Sequence, residues 1–347
     1  MSEPRGRKQR KAAAPLRIIL VGAGAMGHTW LHTLGRSPDT EVVGLVDLDL
    51  ELAQRVSEEE LAAVVPVARS LTELVDLVGA DAVVNVTVPG AHNPVNEEAL
   101  RAGLPVLCEK PISPTVAEAQ RIAEVAKETG KLLMISQSRR YLNQFTALRD
   151  AVAELGPIAS VSCEFATAPH FGGFREQMPY PLLVDMAIHQ FDSARALLGE
   201  DPVSVYCESY NPAWSWFAGD AAATAIFEFP GGARFVFNGS WCNSGQETSW
   251  NSRWRVAGEL GTATWDGDNA PLAGEPPREV PVDDDPEQTD GSLAEFVRCV
   301  RTGEPSTTAA DSNVQSLAMV EAAVRSATEK RRVTLAEVVG DISSSTS

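Results

Sequence analysis

With 347 residues, 44% of them hydrophobic and 22% charged, the chain is long enough for two globular domains with separate cores. Its formal net charge of −18 argues against a nucleic-acid partner, because phosphate backbones need cationic surfaces. Five scattered cysteines point to reduced thiols rather than a disulfide framework, and no stretch is apolar for long enough to span a bilayer, so a cytoplasmic protein with no membrane partner is expected.

Residues 1–14 carry Arg5, Arg7, Lys8, Arg10 and Lys11 with little to bury, which predicts a disordered basic tail. It does not read as a secretory leader, because Arg17 interrupts the apolar run that follows and that run is needed as a strand. From there strands are predicted near 17–22, 42–47, 65–67, 82–88, 105–109 and 132–137. Helices are predicted between and after them, near 25–36, 49–60, 70–78, 93–102, 114–129 and 142–154. This alternation predicts an α/β domain over 15–138 with a parallel sheet covered on both faces. Ligands of such sheets bind beyond the carboxyl ends of the strands. Those ends carry Gly22, Asp47, Thr87, Glu109-Lys110-Pro111 and Gln137.

The first strand runs straight into Gly22-Ala23-Gly24-Ala25-Met26-Gly27, and Asp47 closes the second strand. A helix N-terminus offers unpaired N–H groups and a positive dipole end to a pyrophosphate. Gly22 permits the tight turn, Gly24 lets the backbone reach the phosphates, and Gly27 lets the helix pack on the strand. Asp47 lies about 20 residues further on, where an acid meets the ribose hydroxyls. The next residues are Leu48 and Asp49 rather than an arginine, so NAD is expected over NADP. The alternative is a strand–turn–helix that binds nothing, which the context of the strand and the acid makes the lesser reading.

Residues 139–340 read as a second, α+β domain for substrate binding and oligomerisation. Alternating strands are predicted near 158–166, 203–210, 221–229, 233–242, 252–257 and 262–266, with Gly231-Gly232 as a hairpin turn. Helices are predicted near 182–198, 291–302 and 311–329. A mostly antiparallel open sheet covered by helices on one face follows, with the last helix returning toward the first domain and 341–347 frayed.

Asp185, His189 and Asp192 are spaced to share one helix face. The alternative is a solvated polar face, but a carboxylate one turn before an imidazole is placed to fix its tautomer or raise its basicity. Lys110 ends a strand on the ligand edge, where a cation would stabilise a developing alkoxide. No metal is expected: His28 and His32 are four apart but lack further ligands.

These residues together resemble the glucose–fructose oxidoreductase and inositol dehydrogenase family. The resemblance rests on the glycine turn, Asp47, Glu109-Lys110-Pro111, Arg139-Arg140-Tyr141, and Asp185-Met186-Ala187-Ile188-His189 with Asp192. It implies a Rossmann domain, NAD, and a catalytic set of Lys110, Asp185 and His189, with His189 taking the hydroxyl proton. It also implies cofactor contacts from Thr87, His92, Glu109 and Lys110. The implied substrate contacts are Lys110, Arg140, Tyr141, Asp185 and His189. His170 and Tyr180 join them on a different ground, a loop over 167–180 that precedes the Asp185 helix. The chain departs from the family at Val88-Pro89, at Ala187 where glycine is usual, and at Tyr180-Pro181-Leu182-Leu183, which alters the floor of the substrate site.

Six of the seven tryptophans fall in the second domain, among them Trp214, Trp216, Trp241, Trp250 and Trp254, and there aromatic faces can stack on sugars or simply pack. A neutral polyol, a monosaccharide or a glycoside fits, and an NAD-dependent sugar or cyclitol dehydrogenase is the leading expectation. An NAD-dependent glycosidase and a non-catalytic sugar-sensing regulator are the alternatives the resemblance leaves open. Lys110 and His189 together argue against the pure sensor. A homodimer or homotetramer built on sheet faces is also implied.

Overall fold

The computed structural model describes residues 14–340, so the expected disordered tail, but for its last residue, and the expected fraying over 341–347 lie outside the described residues. Two compact units emerge, one through Thr87 and one from Val88 onward.

In the first unit β1 (Leu16–Val21), β2 (Thr40–Val46), β3 (Val67–Ala68) and β4 (Ala82–Asn85) run parallel in the order β3-β2-β1-β4. This is the 3-2-1-4 half of a dinucleotide-binding sheet. Ile18, Ile19 and Leu20 are fully buried, as continuous apolar runs are when both faces are covered. Helices α1 (Ala25–Arg36), α2 (Leu50–Glu60) and α3 (Thr72–Val78) make the connections. The Asp49 side chain caps α2 by accepting from the Glu51 and Leu52 N–H groups.

The second unit opens with α4 (Pro89–Arg101), β5 (Val106–Glu109), α5 (Val116–Thr129) and β6 (Leu133–Ser136), with β5 and β6 parallel. Helix α4 starts at Pro89, earlier than expected, because that proline takes the first helical position and Pro94 is tolerated inside. Next come a 3₁₀ turn at Ser138–Tyr141 and α6 (Asn143–Ala153).

A nine-stranded sheet follows, made of β7 (Ile158–Ala166), β8 (Ser204–Tyr210), β9 (Ala222–Glu228), β10 (Arg234–Ser240), β11 (Arg253–Gly258), β12 (Gly261–Trp265), β13 (Leu272–Ala273), β14 (Arg278–Glu279) and β15 (Val333–Thr334). Its order is β14-β13-β12-β11-β7-β10-β9-β8-β15, antiparallel throughout except for β7 beside β10. Helices α7 (Ala187–Leu198), α8 (Gln288–Thr302), α9 (Ala310–Glu329) and α10 (Leu335–Val339) complete the unit. Phe191 of α7 sets its ring edge-on to Phe227 of β9 at 4.8 Å and to Phe237 of β10 at 5.4 Å, which fixes α7 on the sheet.

The boundary after 138 expected from the pattern is not where compactness breaks. Glu321 of α9 accepts from the Val116 N–H at 3.0 Å, and the Ile135 N–H donates to the Thr308 carbonyl at 2.9 Å. These bonds tie β5–β6 to the last helices. No helix among the described residues is long and apolar enough to cross a membrane. All five cysteines are buried and unpaired.

Candidate active site

In the first unit the glycine turn meets three steric conditions. Gly22 has φ +108°, and a Cβ there would come within 3.0 Å of the Val86 carbonyl. A Cβ on Gly27 would overlap the Gly22 carbonyl oxygen. Gly24 faces open space, so its missing side chain leaves room for a ligand. Helix α1 has no side-chain cap at Gly24 and no acid in its first turn, so nothing in the turn competes with an anion for the leading N–H groups. The turn therefore fits a dinucleotide pyrophosphate.

Asp47 accepts from the Ala23 N–H through Oδ2 at 2.7 Å and from the Asp49 N–H through Oδ1 at 2.9 Å, leaving lone pairs for hydroxyls. Thr87 donates to Asn85 Oδ1 at 2.8 Å. Arg69, at the end of β3, bonds the Leu48 carbonyl. Sequence spacing missed this cation beside Asp47, because strand pairing rather than chain proximity brings it there.

In the second unit Lys110 follows β5 through a turn in which Glu109 accepts from the Lys110 N–H at 3.1 Å. The Lys110 Nζ donates to the Asp185 carbonyl at 3.2 Å and pairs with Asp185 Oδ1 at 3.5 Å. Arg175 Nε donates to Asp185 Oδ2 at 2.6 Å. Asp185 sits in a π turn, Leu182–Met186, that precedes α7 where an unbroken helix was expected. His189 lies in the first turn of α7, part-buried, and its buried Nδ1 has no hydrogen-bond partner. Its pKa is held well below the usual histidine value, first by burial and then by the Arg139 and Lys110 charges.

The expected coupling of Asp185 to His189 is therefore corrected. No hydrogen bond joins them, and the imidazole is made less basic rather than more. The carboxylate goes to two cations, which bind it more strongly than a neutral ring would.

Asp192 is also engaged elsewhere. It is 2% exposed, accepts both fork nitrogens of Arg140 at 2.5 and 2.8 Å, and accepts from the Ser316 hydroxyl at 2.6 Å. Arg140 is thus consumed inside the fold, which corrects its assignment to substrate. Tyr141 packs on α8, where a Cβ on Gly291 would come within 2.5 Å of it, and its phenol is pushed above the usual range by burial and by Glu295. Tyr180 bonds the Thr328 hydroxyl of α9 at 3.0 Å, and His170 stacks on Trp216 at 3.9 Å. Neither is bonded to the Lys110–Asp185 pair. His92 is 1% exposed, and its Nδ1–H donates to the Pro111 carbonyl at 2.7 Å. It supports the turn that carries Lys110.

Arg139, of the Arg139-Arg140-Tyr141 motif, and Arg175, of the loop over 167–180, belong to the same surroundings. Arg139 bonds the Trp250 carbonyl and reaches Met186 Sδ at 3.7 Å. Arg175 lies over the rings of Phe171 and Phe174 at 5.4 and 4.9 Å. Phe171 in turn sets its ring 5.1 Å from Trp241, edge-on, and 6.4 Å from Trp250.

Residues 16–137 match the model of an oxidoreductase family with an NAD-binding Rossmann fold, and residues 145–264 match the GFO/IDH/MocA C-terminal domain. An uncharacterized protein of Sinorhizobium fredii, y4oX, is 31% identical over 264 residues, 72% of each chain. Inositol 2-dehydrogenase of Rhizobium meliloti is 26% identical over 343 residues, 92% of this chain and 99% of that one. An oxidoreductase from Agrobacterium radiobacter, solved in complex with NAD+, L-tartaric acid and magnesium, has the same fold. It superposes with a TM-score of 0.83 at 19% identity, covering 93% of this chain and 99% of that one.

Proposed function

The chain belongs to the GFO/IDH/MocA family of NAD-binding oxidoreductases, and from that premise we propose that it oxidises a secondary hydroxyl of a sugar, glycoside or cyclitol with His189 as general base. NAD bound on the glycine turn would supply the hydride acceptor. The observation that carries the reading is that Lys110 reaches across to Asp185, one turn before His189, whose buried ring feels the Lys110 charge. Because burial and two cations disfavour its protonated form, His189 is free to take a hydroxyl proton at neutral pH. Lys110 would donate to the same oxygen as negative charge grows there. Asp185 and the Lys110–Pro111 turn, backed by His92, hold that ammonium in place.

Asp47 supports NAD over NADP, since its carboxylate would repel a 2′-phosphate. The five buried, unpaired cysteines support a cytoplasmic setting. Exposure of Ile226 on β9, 38% accessible, supports pairing of sheet faces in a homodimer or homotetramer. The curated inositol dehydrogenase relative adds cyclitols to the substrates to try. NADH formation across inositols, hexoses and glycosides tests the proposal. Net NADH from a sugar or cyclitol is expected, whereas aglycone release without net NADH would replace it with the glycosidase chemistry.

A further inference from the structure

Adjacent residues of one 3₁₀ turn are treated in opposite ways. Arg140 places its fork on the buried carboxylate of Asp192. Arg139 bonds only the Trp250 carbonyl and the Met186 sulfur, and among the described residues no carboxylate lies within ion-pair distance of it. Most of its five N–H donors are left without a protein acceptor. A part-buried guanidinium with no counter-charge loses hydration without recovering it from a partner, an arrangement that costs stability. Burial accordingly lowers the Arg139 pKa to about 10, and no carboxylate opposes that shift.

The surroundings extend the imbalance. Arg139 and His189 line one small cavity with the polar Gln190, Ser193 and Asn251 and the apolar Leu142, Phe145, Trp254 and Trp265. Lys110 and Arg175 share the single carboxylate of Asp185, and among the described residues only the Nε of Arg175 donates a side-chain hydrogen bond. Two cations, Arg139 and Lys110, thus act on the His189 ring, while Arg175 competes with Lys110 for Asp185. A guanidinium fork recognises a planar carboxylate or a phosphate through paired N–H···O bonds.

We propose that the carbohydrate oxidised here carries an oxyanion, a carboxylate or a phosphate, which pairs with Arg139 while its reacting hydroxyl meets Lys110 and His189. This rests on the dehydrogenase reading above and narrows its substrate class from neutral polyols to sugar acids or sugar phosphates. The oxidation step is unchanged: the carbon's hydride goes to the nicotinamide and the hydroxyl proton to His189.

The test compares matched pairs on the full chain with NAD: glucuronate against glucose, galacturonate against galactose, and glucose 6-phosphate against glucose. One charged hydrogen-bonding partner is worth about 1.5–3 kcal/mol, so kcat/KM for the preferred anion should exceed that of its neutral partner by roughly 10–100-fold. Arg139→Gln should collapse this ratio through KM, with Arg139→Lys restoring part of it. The arms separate carboxylate from phosphate. Wild-type preference for neutral sugars, or no preference, overturns the proposal even if the variants fail to fold. Calorimetric binding of glucuronate or glucose 6-phosphate to the NADH complex is measured alongside. Anion binding without NADH formation from any sugar would keep this inference and sink the dehydrogenase reading. NADH from neutral sugars without anion preference would do the reverse.

Discussion

The glycine turn after β1 and the cluster around Lys110 are built by opposite means. At residues 22–27 the ligand site is made by leaving side chains out: Gly24 opens onto free space, and Gly22 and Gly27 permit backbone contacts that any Cβ would block. At the proposed catalytic cluster, Lys110 and Asp185 are paired across 75 residues of sequence beside the His189 ring. The first kind of site is local and survives as a spacing pattern. The second depends on tertiary contacts, and its charge balance is set by whichever partners arrive. The first should govern cofactor affinity and the second the rate of the chemical step.

The sharpest break between the two comes from His189→Ala. Turnover should fall by about 10²–10⁴-fold, the usual contribution of a positioned general base, while NADH binding by fluorescence titration stays near wild type. Loss of both together would erase the distinction. The converse variant, Gly24→Val, fills the open space with a branched side chain. It should weaken NADH affinity by roughly 10²-fold, the loss of about two charge-assisted hydrogen bonds, and leave the rate at saturating cofactor far less affected.

Asp47→Ser sharpens the comparison within the cofactor unit. Removing the carboxylate and sparing Arg69 should shift kcat/KM toward NADP by about 10-fold or more, and Arg69→Ala on that background should undo part of the gain. An unchanged NAD-to-NADP ratio would take Asp47 out of cofactor choice. On the catalytic side, the acid limb of kcat/KM should lie below pH 6.5. The His189 pKa is lowered, so its neutral form persists on acidification and activity is lost only as the pH drops through that lowered value. A limb at or above the ordinary histidine value would mean that the charges around the ring do not act on it. The smallest expected effect belongs to His92→Phe, which removes one hydrogen bond behind the Lys110–Pro111 turn. A rate loss of about 10-fold or less is expected, read in kcat rather than in NADH affinity.

What was legible in the sequence follows the same division. The turn at 22–27, the acid at 47 and the alternation of strands and helices depend on near neighbours, and the elements lie close to where the pattern puts them. The two-residue strands β13, β14 and β15 are too short to carry a period. The compact boundary at Thr87 could not be read locally, because it reflects where α9 docks. In the site, the spacing of Asp185 and His189 suggested a pair that the arginine at 175 and the lysine at 110 dissolve. Arg139 and Arg140 are indistinguishable as letters, and only the 3₁₀ turn decides which one meets Asp192.

The most direct measurement of the catalytic assignment is isotope transfer in a single turnover. Wild-type protein and His189→Ala are mixed with NAD and, in turn, perdeuterated glucuronate and perdeuterated myo-inositol, and the reduced cofactor is analysed by mass spectrometry. Deuterium should appear in the nicotinamide ring with wild type for at least one of the two, and orders of magnitude more slowly with the variant. Deuterium reaching the ring equally fast in both proteins, or sugar product forming with none in the cofactor, would contradict the role assigned to His189.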